Sequence, residues 1–471
     1  MQAHYVHPDD IRSQFSQAMS AMYRAEVPQY GTLLELVADG NADVLAQNTG
    51  LQALLERRGE TGRLNIEYHG AIRLGTAAEL SGMRRVFAVM GMQPVGYYDL
   101  SVAGVPVHAT AFRPVDDAAL KRNPFRIFTS LLRLELIDDA ALRAEAEQIL
   151  AARRIFTPGA LALLDAHDLQ GGLTKEQATQ FVEQVLETFR WHQQATVSDV
   201  QYQHLHDAHR LIADVVSFRG PHINHLTPRT LDIDAVQAGM PLRGIVPKAV
   251  IEGPPRRACP ILLRQTSFKA LQETVLFTGA DGQPVQGHHT ARFGEVEQRG
   301  AALTPKGRQR YDALLNTTRA QVPATHTPAY MAALQQNFKD LPDDWNTLRE
   351  QGLAYFRYSA TPAGLAANTT PAGSIDALLA QGWLQFDPIL YEDFLPVSAA
   401  GIFQSNLGGP AGAAYATRSN RDQFAEALGQ QPFDELALYA SAELASLQQA
   451  LIDLGLSPDV AGTTAAALLQ R

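Results

Sequence analysis

The chain has 471 residues, of which 46% are hydrophobic and 19% charged, with a formal net charge of −10 and a single cysteine, Cys259. That is the make-up of a globular protein with a real core, long enough for two or three domains or one large elaborated one. The acidic balance without a basic stripe argues against nucleic acid, the lone cysteine excludes a disulfide framework and a cysteine-based structural zinc site, and the lack of an apolar run of about eighteen residues argues against a membrane span.

The first segment, Met1 to Phe15, has no basic-then-apolar pattern, so the expected compartment is the cytoplasm. Residues 8–58 read as helical, with Pro8, Asp9 and Asp10 at the start. Residues 64–74, 84–91, 95–101 and 105–114 are short, β-rich and separated by Gly and Pro. Helical periodicity returns over 139–152, 159–167, 174–190 and 198–217, where Ser198 and Gln201 can form a capping box. A second β-rich block follows, with strands expected at 230–236, 245–251, 261–268, 274–278 and 289–298 and a hairpin turn at Asp281-Gly282. Residues 305–320 and 328–339 read as helices, 352–359 and 383–387 as strands, and 420–471 as a helical tail. The pattern is α+β. We expect one elaborated domain over 1–420, with β-rich blocks near 61–115, 221–300 and 350–407. Helical inserts fall near 116–220 and 301–349, and a helical segment, 421–471, packs on the whole.

Three segments could carry chemistry. In Tyr68-His69-Gly70-Ala71-Ile72-Arg73, alternation along a strand points His69 and Arg73 the same way, at most about 13 Å apart. A histidine in a strand is ordinarily a packed residue, so this pair alone proves little. In Pro221-His222-Ile223-Asn224-His225-Leu226-Thr227-Pro228, prolines at both ends disfavour a helix. Extended backbone then sends His222 and His225 to opposite faces, so at most one enters a given site. In Arg292-Phe293-Gly294-Glu295-Val296-Glu297-Gln298-Arg299, Glu295, Glu297 and Arg299 share a face. That arrangement is either a solvated edge ladder or a carboxylate ligand with charged support. Two imidazoles and one carboxylate on a rigid sheet make the facial arrangement of non-haem Fe(II) oxygenases.

Other histidines are weaker candidates. His204, His206 and His209 lie on a helix, where His204 is expected to pack or cap near the stripe Val200, Ala208, Leu211, Val215. His7-Pro8-Asp9 is on no strand. Only one of His288 and His289 could help a site. Leu407 to Gly412 lacks the lysine of a phosphate loop.

Taken together, YHGAIR (68–73), NHLTPR (224–229) and FGEVEQRG (293–300), with LLRQTSFKAL (262–271) and FLPVSAAGIF (394–403), resemble the 2-oxoadipate dioxygenase/decarboxylase family over roughly residues 5–420. The resemblance implies a vicinal-oxygen-chelate-like sheet core holding Fe(II), with large helical insertions and helical ends. It implies His69, His225 and Glu295 as the metal ligands, Glu295 being preferred over Glu297 because related dioxygenases place the ligand first in E-x-x-Q-R. It implies that Arg73 binds the substrate carboxylate, with His69 also at the substrate, and that Val397 and Ser398 meet its far end. The implied reaction converts 2-oxoadipate and O2 to (R)-2-hydroxyglutarate and CO2 in lysine catabolism. Other readings are a zinc or manganese lyase or isomerase, an oxygenase for a different 2-oxo acid, and a non-catalytic carboxylate binder.

Overall fold

A computed structural model describes residues 4–279, 281–290, 292–322, 327–367, 371, 373–395 and 413–469. Three helices open the chain, Pro8–Glu26, Tyr30–Gln47 and Thr49–Arg58. His7 caps the first by accepting from the Asp9 N–H. Ile11, Phe15, Met19, Met22 and Tyr23 recur at helical spacing on its buried face. Among the described residues no helix is long and apolar enough to cross a membrane.

The strands are β1 (Tyr68–Leu74), β2 (Gln93–Asp99), β3 (Val107–Arg113), β4 (Arg126–Leu132), β5 (Gln194–Ser198), β6 (His225–Pro228), β7 (Leu263–Ser267), β8 (Gln272–Thr278), β9 (Pro284–Thr290), β10 (Phe293–Arg299), β11 (Phe356–Ala360) and β12 (Leu384–Pro388). Seven of them form one curled sheet in the order β2-β3-β4-β1-β6-β10-β7. Strands β5, β8 and β9 make a second sheet, and β11 pairs with β12. The fold is α+β as expected: a sheet core with helical insertions and helical ends. The helix Glu435–Asp453, near the C-terminal end, packs along β11, where Glu443 and the Ser446 hydroxyl accept from the N–H groups of Phe356 and Tyr358.

Several expectations fail for physical reasons. Residues 84–89 belong to a helix, Ala77–Val89, capped by Thr76 on the Glu79 N–H, with Leu80, Met83, Val86 and Phe87 buried on one stripe. Residues 230–236 straddle the start of another helix, Ile233–Gly239, which Asp232 caps. Residues 245–251 form no strand, only an isolated bridge from Pro247 to Phe268. The stretch 289–298 divides between β9 and β10. Strands β4 and β5 lie inside the supposed helical insert 116–220. Every residue of β4 is buried, so it shows no polar alternation to read. The helix expected over 198–217 breaks at His209, which caps the second half by accepting from the Leu211 N–H. Its first half buries Tyr202 and Leu205 rather than Val200 and Ala208, and His204 is exposed. The Ser198–Gln201 capping box is present.

Candidate metal centre

Strands β1, β6 and β10 are neighbours in the middle of the large sheet, and each contributes one member of the site. His69 on β1 stands opposite Thr227 on antiparallel β6. The parallel register of β6 and β10 pairs His225 with Phe293 and Leu226 with Gly294, which carries Glu295 to the level of Thr227. His69, Thr227 and Glu295 therefore form one row across three strands, with His225 one pleat away on the same face. Nε2 of His69 lies 3.2 Å from Glu295 Oε1, and Nε2 of His225 lies 3.9 Å from the same oxygen. The two imidazole rings meet edge to face at 5.4 Å. All three side chains are buried, and their ligand atoms lie within 4.8 Å of one another.

The next row supports the first. Glu297 lies one pleat beyond Glu295, and its Oε2 is 2.9 Å from Nδ1 of His69. That is where a metal-binding histidine ordinarily presents its second nitrogen to a carboxylate, fixing the tautomer and the ring plane. Arg299 holds Glu297 through both carboxylate oxygens, at 2.7 and 2.9 Å. The like charges of Glu295 and Glu297 are thereby separated in function: one faces His69 and His225, the other faces Arg299 and the back of His69. The edge-ladder alternative fails, because β10 lies inside the sheet and Glu295, Glu297 and Arg299 are all buried. Glu295 Oε1 also accepts from the Thr227 hydroxyl at 3.0 Å and from the Gln265 amide at 2.7 Å, which fixes its rotamer.

The electrostatics suit a cation. Burial lowers His225 to about 4; Glu295 opposes that, while the charges of His69, Arg73 and Lys248 add to it. Its imidazole is neutral near neutral pH, with lone pairs available as a ligand requires. Burial raises Glu297, but Arg299 and His69 outweigh it and hold the carboxyl down at about 2. Burial also opposes ionisation of Glu295, and His225 and His69 overcome it. Burial disfavours protonation of His69, yet Glu297 and Glu295 raise it above the ordinary value. A proton on that ring would be held by two carboxylates, and a divalent cation beside Glu295 would take its place. Both ring nitrogens of His225 lack a hydrogen-bond partner among the described residues, and Nε2 of His69 meets the Glu295 carboxylate. Buried, unpaired imidazole nitrogens beside a carboxylate fit a two-histidine, one-carboxylate metal site.

The remaining expected residues divide. Arg73 lies on the same face of β1 as His69, two pleats along, and its Nη1 donates to Asp214 at 2.6 Å. His222 turns away from His225 to the same carboxylate, 3.3 Å from Asp214 Oδ1. His289, not the exposed His288, is buried and also meets Asp214, at 2.9 Å. Val397 and Ser398 lie outside the described residues. Reading the sequence alone offered a glutamate neighbour or Arg299 as support for the ligand carboxylate but did not tie Glu297 to His69, and it missed Thr227, Gln265 and Asp214. Glu297, Thr227 and Gln265 sit inside the motifs already singled out. Asp214 gave no such signal.

Comparison with known proteins follows the same motifs. The family model for 2-oxoadipate dioxygenase/decarboxylase matches residues 15–406. A curated relative of that name from Pseudomonas putida is 62% identical over 454 residues, covering 94% of this chain and 97% of the relative. One from Escherichia coli is 59% identical over 444 residues, covering 94% and 98%. The crystal structure of the hydroxyglutarate synthase in complex with 2-oxoadipate from Pseudomonas putida aligns with a TM-score of 0.90 at 60% identity, covering 96% of this chain and 99% of that one.

Proposed function

The chain belongs to the 2-oxoadipate dioxygenase/decarboxylase family, and from that premise we propose that it is a non-haem iron enzyme converting 2-oxoadipate and O2 to (R)-2-hydroxyglutarate and CO2, in lysine degradation. The observation that carries this reading is the buried trio His69, His225 and Glu295, in which His69 turns Nε2 to Glu295 and neither ring nitrogen of His225 has a hydrogen-bond partner among the described residues. A bound Fe(II) would supply Lewis acidity toward the 2-oxo acid and the electrons that let O2 react. The overall sum balances with no further reductant: oxidative loss of CO2 supplies two of the four electrons that O2 takes, and the C–H bond that becomes the alcohol supplies the other two. No second 2-oxo acid is needed.

The chain's own residues bind, orient and exclude water. His69, His225 and Glu295 would hold the metal. Glu297 keeps the His69 ring in place. Arg73 would anchor a substrate carboxylate through a charge-assisted bond, and Val397 with Ser398 would meet the chain's far end. Their contribution is positional: fixing the acceptor carbon against the reacting centre selects one product.

An oxygen electrode tests the reading. Iron-loaded protein given 2-oxoadipate should consume O2 and release CO2 in equal amounts. Turnover of 2-oxoadipate without O2 uptake would show a lyase or isomerase instead. Arg73→Ala should raise KM strongly while the protein keeps its iron.

A further inference from the structure

Asp214 is buried in the helix Arg210–Val216, 6% exposed, and three side chains from three other segments converge on it. Arg73 Nη1 from β1 donates to Oδ2 at 2.6 Å. His289 from β9 meets Oδ1 at 2.9 Å through Nε2, while its Nδ1 lies 2.8 Å from the Tyr202 hydroxyl. His222, three residues before His225, stands 3.3 Å from Oδ1. Trp191 packs over both rings, stacked on His289 at 5.9 Å and edge-on to His222 at 4.6 Å. Burial opposes ionisation of Asp214, but Arg73 and His222, with bonds from both histidines, hold it well below the usual carboxylate range.

Two histidines and an aspartate within ligand distance of one another could be read as a second metal site. The guanidinium of Arg73 on the same carboxylate argues against it, because a divalent cation there would sit against a fixed positive charge. His289 is also committed at both nitrogens. The arrangement instead fits a clamp on an arginine.

We propose that Asp214, held by His222 and by His289, whose ring Tyr202 braces, is the positioning residue that fixes the Arg73 guanidinium toward the metal centre for carboxylate recognition. This rests on the reading of Arg73 as the substrate's anchor. An arginine on a flexible stem loses rotamer freedom when it binds, and a partner that fixes it beforehand removes much of that cost. The charge of Arg73 already reaches His225, one of the groups that lowers it. The clamp therefore ties a residue of the second sheet, His289, to an arginine beside the site on the first.

Asp214→Asn keeps the size and removes the charge that binds Arg73. It should raise KM for 2-oxoadipate on the order of tenfold or more, the worth of a charge-assisted hydrogen bond. The value of kcat should stay within about threefold, and iron content should match wild type, a split that a general loss of folding would not produce. Tyr202→Phe, which removes only a hydroxyl, should move KM the same way by a smaller factor and guards against misfolding of the first variant. Arg73→Ala is the comparator. In the double variant with Asp214→Asn, the two effects should not add, since both act through one guanidinium. If Arg73→Ala raises KM but Asp214→Asn leaves it unchanged or lowers it, the clamp is wrong while the anchor stands. If Arg73→Ala itself leaves KM unchanged, the anchor reading fails first.

Discussion

At the residue scale, two glutamates two positions apart on one strand face do different work because their neighbours differ. Glu295 points its Oε1 at Nε2 of both histidines and is steadied by Thr227 and Gln265. Glu297 is gripped by Arg299 and meets the far side of His69. A carboxylate in that second position tunes a metal site without binding the metal, and its loss typically weakens metal affinity about 10–100-fold. Glu295→Gln should therefore leave protein that retains no iron after dialysis. Glu297→Gln should retain iron at high concentration, with Kd raised by roughly that factor. Metal titration of the two purified variants checks this, and the reverse ranking would make Glu297 the ligand.

At the scale of the element, the site depends on how closely β1, β6, β10 and β7 approach. A Cβ at Gly294 would lie 2.1 Å from Cε1 of Phe268, a buried residue whose backbone N–H donates to the Gly294 carbonyl. Gly70 faces a softer neighbour, the tip of Ile223 at 2.5 Å, with the His225 carbonyl at 3.0 Å. Gly294→Ala should overpack by about 1–3 kcal/mol and lower Tm. Phe268→Leu in the same chain should recover part of the loss, and a Gly294→Ala protein melting like wild type would show that the strand has room to move. These contacts mark the boundary of what the sequence makes legible. The segments that carry His69, His225 and Glu295 stand out because a two-residue period says which side chains share a face, while the choice of these three comes from the family resemblance. The row that joins them does not stand out, because register across strands from distant parts of the chain is fixed by packing. Tyr23, for example, brings its hydroxyl to 3.0 and 2.7 Å from the carbonyls of Asn224 and Phe293 at the entry to β6 and β10. Strand β4 is hidden for a related reason: buried along its whole length, it carries Arg126 and Thr129 in place of a polar face. Asp214 is hidden because its partners come from three separate segments.

At the scale of the whole molecule, the sheet is tied to the chain's N-terminal and C-terminal parts by a buried ionic network beside the metal centre. Glu67 pairs with Arg63, Arg126 and Arg229. Glu392, far along the chain, pairs with Arg63 and Arg126, and the neighbouring Asp393 takes Arg113 through both oxygens. Arg126 also lies 3.6 Å from Glu297, so the network reaches the support of His69. Such a network adds little over a well-packed apolar core, but breaking one member leaves a buried charge short of its partner, at about 3–5 kcal/mol. Its pH dependence has a definite sign. Burial raises Glu392, but Arg63 and Arg126 outweigh it and depress the carboxyl to about 2, against roughly 4.3 in the unfolded chain. A depressed folded value means that the stabilisation is fully present above the unfolded value and is lost as pH falls through the folded one. Melting curves should therefore hold near neutral pH and decline steeply between about pH 4.3 and 2. Glu392→Gln should melt lower than wild type at pH 7, because Arg63 and Arg126 each lose a partner, and its decline with acid should be shallower. A variant that matches wild type at pH 7 and runs parallel to it in acid would mean that the network joins the two parts of the chain without stabilising their union.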